Sequence, residues 1–102
     1  MTKEAKDKSK FRQSSKWKNW RKYLKGKRKV DEITNKPLYK GWQCHHLDMS
    51  SEHYTELYED KFICVNRKTH DVIHWLFRYT NWKEVLYNLS KIMTEMEKYN
   101  ER

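Results

Sequence analysis

Four of the chain's five histidines fall into one pattern, HH-x23-H-x3-H, made by the adjacent pair His45 and His46 and the spaced pair His70 and His74. Residues four apart on a helix share a face, so His70 and His74 can aim both imidazoles at one point. Adding His45 gives three neutral nitrogen ligands. Such a set suits a catalytic transition metal that keeps one position open for water or substrate. His46 is then a spare imidazole beside the metal, the side chain best placed to activate water near neutral pH. The pattern reads as a metal-dependent hydrolytic site.

Size and charge narrow what such a site acts upon. At 102 residues the chain is expected to hold one small domain with a modest core. Its formal net charge of +9 is unevenly spread. Residues 1–40 carry fifteen Lys/Arg against four Asp/Glu, whereas residues 41–102 carry eight against ten. A basic first third ahead of a near-neutral body suggests a polyanion-binding arm. Aromatic residues interleave these charges, which favours that reading over a mere solubility tail. No apolar run is long enough for a signal peptide or a membrane span, so a soluble, cytoplasmic protein is expected. Cys44 and Cys64 make no CxxC pair and read as ordinary buried thiols on neighbouring strands.

The elements that must position the histidines follow from local signals. Residues 1–11 are polar and charged, and a disordered basic tail is expected there. Ser14 or Ser15 offers an N-cap to a helix with Trp17, Trp20 and Leu24 on one face, ended by Gly26. At that spacing the two tryptophans are core anchors rather than platforms for stacked bases. Asp31 to Lys36 reads as an irregular turn closed by Pro37. Leu38–Tyr39 and Trp42–His45 read as a hairpin around Lys40-Gly41. Ser50 or Ser51 can start a short helix with Tyr54, Leu57 and Tyr58 inward. Phe62 to Val65 is a short apolar run of strand type. Thr69 is read as the cap of the helix carrying His70 and His74. Asn81 and Glu84 make a capping-box-like start to the last helix, whose stripe from Trp82 to Met96 reads as a core face. His53 reads as a surface or half-buried polar residue.

A hairpin ending in two histidines, a loop, a short strand and a metal-bearing helix is the order of a ββα-metal finger. The segment GWQCHHLDMSSEHYTELYEDKFICVNRKTHDVIHWL, residues 41–76, resembles the HNH (His-Me finger) endonuclease family. The preceding WKNWRKYLKGKRKVDEITNKPL resembles the basic helix and turn of small phage-type HNH proteins. The resemblance implies His46 as general base and His45, His70 and His74 as ligands of one divalent metal ion, drawn from zinc, nickel, manganese and magnesium. It also implies DNA as substrate, with products bearing 5′-phosphate and 3′-hydroxyl ends. The site of action would be the cytoplasm of a phage's bacterial host. One position departs from the family. An asparagine is expected nine residues before His70, and Lys61 stands there. Lys61 is therefore expected to have moved from bracing the loop to contacting phosphate. Glu59 and Asp60 are the neighbours able to take over the bracing.

The expected architecture is α+β, with a ββα-metal core, a basic N-terminal helix and a long C-terminal helix. Residues 12–102 would form a single nuclease domain. Lys16, Lys18, Arg21, Lys22, Lys25, Arg67 and Lys68 would hold the DNA backbone. Two other readings share these features: a nuclease-derived DNA-binding module that no longer cuts, and a module that engages a host protein.

Overall fold

The structure, a computed structural model, describes residues 2–100. Four helices and one two-stranded antiparallel sheet make a small α+β architecture. Helix α1 spans Lys3–Arg12 and α2 spans Ser15–Arg28. Strands β1 (Gln43–His46) and β2 (Phe62–Val65) pair, and α3 (Arg67–Phe77) and α4 (Trp82–Glu97) follow. The chain divides into two compact units whose boundary falls inside α3, between His70 and Asp71.

The core of the first unit gathers Trp17 and Leu24 from α2 with Trp42, Cys44, Phe62 and Cys64 from the sheet region. Leu24, Phe62 and Val65 are fully buried, each worth about 1.5–3 kcal/mol relative to exposure. Trp20 is half-buried against this cluster, so both tryptophans act as anchors. In the ladder Cys44 stands opposite Cys64, and both thiols are free and buried.

Several local readings give way to longer-range interactions. Residues 3–11 are helical rather than disordered, while Met1 lies outside the described residues. The Thr2 hydroxyl accepts from the Ala5 amide at 3.1 Å, and Phe11 packs against Trp17 and Tyr54. Capping and one aromatic anchor suffice where periodicity gives no sign. Helix α2 starts at its Ser14 cap as expected but runs through Gly26 to Arg28. Its last turn is held by Arg28, which donates to the Glu59 carbonyl at 2.8 Å and the Phe62 carbonyl at 3.1 Å and pairs with Glu32. Lys29, not Gly26, takes the left-handed cap at φ 69°.

Leu38 and Tyr39 form no strand of a local hairpin. A tight turn closes from the Trp42 amide to the Tyr39 carbonyl, with Gly41 at φ 88°, a value that favours glycine. The Asn66 side chain accepts from the Tyr39 amide and donates to the Pro37 carbonyl, taking groups a strand partner would have used. The partner of β1 is instead β2, across the loop 47–61 with its single 3-10 turns at Ser51–His53 and Glu59–Lys61.

Asp31 organises the start of α3. It is fully buried and accepts from the amides of Ile33, Thr34 and Asn66. Burial alone would raise its pKa, but hydrogen bonds from Asn66, Thr34, Thr69 and Ile33 outweigh it and bring the carboxyl down to about 2. Thr69 therefore lies inside α3 and serves Asp31 rather than capping the helix. The first turn closes from the His70 amide to the Asn66 carbonyl at 2.9 Å.

The second unit differs in kind. Asn81 precedes α4, and its side chain meets Glu84 at 3.4 Å without bonding the backbone. No residue of α4 is buried, so its apolar stripe is not the core face expected from its period. No described helix is long and apolar enough to cross a membrane.

Candidate metal centre

The strand and the helix bring His45, His70 and His74 together. Each offers one ring nitrogen, and the three lie within 4.8 Å of one another. His45 is 7% exposed on β1, and its ring meets that of His70 edge-on at 5.4 Å between centroids. Bonds of about 2.0–2.1 Å in a four-coordinate site put ligand atoms roughly 3.3 Å apart, so contraction by about 1.5 Å at most would seat a metal ion. Three imidazoles on two rigid elements fit a first-row divalent ion. His70 lies in the first turn of α3, where the free amides and the helix dipole favour an anion nearby.

His46 is not in that group, and its surroundings are of another kind. Strand alternation turns it to the opposite face from His45. There it stacks between Trp17 at 5.5 Å and Tyr54 at 4.5 Å, with Phe62 at 4.6 Å. Its Nε2 lies 3.1 Å from the Tyr54 carbonyl. A carbonyl can only accept, so Nε2 carries the proton and Nδ1 of the neutral ring is the basic nitrogen. Burial among the rings lowers the His46 pKa, opposed by the Tyr54 carbonyl, and the Lys8 and Arg12 cations lower it further.

The loop that follows is braced without an asparagine. The Leu47 amide donates to the Lys61 carbonyl at 2.9 Å, so position 61 ties the loop through its backbone. The Lys61 side chain is exposed. Nearby Asp48 is held below its usual pKa by the Ser50 amide and by His53, with a smaller pull from the Lys61 ammonium. His53 is exposed and pairs with Asp48 at 2.7 Å, which raises the His53 pKa. Glu59 accepts from Tyr23 and from Lys27 and so ties the loop to α2, not to His46.

The basic residues divide. Lys16, Lys18, Lys22, Lys25, Arg67 and Lys68 are exposed. Arg21 is engaged: its guanidinium lies 4.4 Å from the Trp42 ring and donates to the Trp42 carbonyl at 2.7 Å. Sequence reasoning missed Tyr54 and α1 as parts of the His46 surroundings. Lys8 lies over the Tyr54 ring at 5.0 Å, and Arg12 donates to the Tyr54 hydroxyl at 2.9 Å. No periodic or motif signal links residues so far apart.

No protein-family model matches the chain, and neither a curated protein nor a solved structure matches it.

Proposed function

We propose that the chain is a metal-dependent endonuclease or nickase of HNH type that hydrolyses phosphodiester bonds in DNA. The observation that carries this reading is the convergence of His45, His70 and His74, with ligand atoms within 4.8 Å of one another. On this reading β1, β2 and α3 are a ββα-metal finger. A divalent ion held by the three imidazoles would supply charge stabilisation to the scissile phosphate, with zinc, nickel or manganese favoured over magnesium by the nitrogen ligands.

The chain's own groups do the rest. On this reading His46 is the general base that takes a proton from water at Nδ1, and to serve the metal face its ring leaves the stack between Trp17 and Tyr54. That water oxygen bonds to phosphorus as the bond to the 3′ oxygen breaks, and the 3′ oxygen takes a proton from solvent water, leaving 5′-phosphate and 3′-hydroxyl ends. The Lys61 ammonium, on an exposed stem, contacts the phosphate. Arg67 and Lys68 at the start of α3, and Lys16, Lys18, Lys22 and Lys25 on α2, hold the backbone with little base readout.

A second reading, a nuclease-derived module that binds DNA without cutting, is favoured by the enclosure of His46 between two aromatic rings. Incubating supercoiled plasmid with the protein and manganese, nickel, zinc or magnesium separates the two. Nicking that disappears in EDTA is the expected result. Retarded plasmid with no nick in any metal would sink the nuclease reading in favour of the binding module.

A further inference from the structure

The second unit carries an apolar surface that its own few residues do not cover. Val72, Trp75 and Leu76 of α3 and Leu86, Leu89 and Met93 of α4 line a groove of about 590 Å³. Leu86, Leu89, Met93 and Met96 are each between 44% and 56% exposed, and Ile92 is 60% exposed. A two-helix unit of this size lies below the length at which a chain buries a sufficient core without help. Helix α4, with 16 residues, is about 24 Å long, whereas the part of α3 in this unit is seven residues, about 10 Å. The apolar stripe therefore runs past its partner within the unit.

The stripe has the spacing of a helix-pairing seam. Trp82, Leu86, Leu89, Met93 and Met96 recur at intervals of four, three, four and three. The residues flanking the seam on one side are Lys83, Ser90 and Glu97. Turned antiparallel on a second copy, these flanks set Lys83 against Glu97 twice and Ser90 against its own counterpart. The other flank sets Ile92 against itself. A parallel pair would instead bring Ile92 against Glu97.

Two further features point the same way. Lys83 stands at the N-terminal end of α4 and Glu97 at its C-terminal end, each opposing the helix dipole. That placement costs stability in an isolated helix, and an antiparallel partner offsets it at both ends. Residues 71–102 carry five Lys/Arg and five Asp/Glu, a net of zero, while residues 1–70 carry the whole +9. The neutral unit is the part of the chain on which two like-charged molecules can meet without mutual repulsion.

We propose that this unit is a self-association module in which α4 of one chain seats antiparallel on α4 of a second copy, Lys83 facing Glu97. The pairing does not depend on the nuclease reading. Sedimentation velocity of the full chain, freed of nucleic acid in high salt and followed over a wide concentration range, should show a species of twice the 12.8 kDa mass. Leu89→Asp with Met93→Asp should leave monomer only, with circular dichroism checking that the helices persist. Lys83→Glu alone and Glu97→Lys alone should each weaken the dimer roughly tenfold, because two facing pairs become repulsive. An equimolar mixture of those two variants should restore it as a heterodimer. A wild type that stays monomeric throughout overturns the proposal. So does a dimer indifferent to both charge reversals and to their mixing.

Discussion

The two faces of β1 place adjacent histidines in opposite surroundings. On one face His45 is 7% exposed, and a nitrogen of its ring lies within 4.8 Å of those of His70 and His74. On the other, His46 lies among Trp17, Tyr54 and Phe62, with one nitrogen bonded to a carbonyl. Imidazole neighbours select for a cation, whereas aromatic walls and a fixed tautomer hold a neutral base in one orientation. A single residue step along a strand separates the two surroundings. Period-two alternation is what lets one short element present both surroundings.

The sharpest way to break this division is to remove one imidazole from each face. On the nuclease reading, His46→Ala should lower the cleavage rate by about 10²- to 10⁴-fold, the usual contribution of a general base, and leave metal affinity unchanged by titration calorimetry. His74→Ala should do the reverse in binding, weakening metal affinity on the order of a hundredfold by loss of one of three ligands. Loss of metal in the His46 variant would make that ring a ligand and erase the distinction between the faces.

A smaller effect is expected from Asp31→Asn. Asp31 holds the amides and hydroxyl that start α3, and its carboxyl sits at about 2 against an ordinary 3.8. A depressed pKa contributes stability that is present above about pH 4 and lost as pH falls toward 2. The shift corresponds to about 2.5 kcal/mol. Urea unfolding of the variant should show a loss of that order at neutral pH, and the acid slope between pH 4 and 2 should flatten. Unchanged stability would mean that α3 starts without this carboxylate. The least effect is expected on the basic surface. Lys16→Ala with Lys22→Ala should reduce the slope of log affinity for duplex DNA against log salt by about 0.9 for every phosphate these lysines neutralise. Arg21→Ala, by contrast, should lower stability through Trp42. An unchanged slope in the double variant would remove α2 from the DNA-binding surface.

What the sequence disclosed was what local chemistry determines. The strand from Phe62 to Val65, the Ser14 cap and the meeting of His45 with His70 and His74 all follow from spacing and residue type. The failures share a cause in partners distant along the chain. Gly26 is a local stop signal, but Arg28 bonded to Glu59 and Phe62 carries the helix past it. Lys40-Gly41 is a local hairpin signal, but Asn66 occupies Pro37 and Tyr39 and leaves β1 to pair with β2. The enclosure of His46 draws on Trp17 and Tyr54, which no short motif unites. In α4 the period is legible, yet period alone does not tell a core face from an exposed one.

The facing thiols of the ladder give this molecule a clock. Burial raises Cys44 to about 12, with Cys64 adding to the effect, and burial with the Glu32 carboxylate raises Cys64 to about 11. Only thiolate attacks an alkylating reagent, so both sulfurs are chemically silent while β1 and β2 stay paired. Each opening of the strand pair exposes them together. The rate of double labelling at neutral pH by an alkylating reagent in excess enough to outpace reclosing, read by mass spectrometry, thus counts how often the hairpin beneath the histidines comes apart, with no engineered label.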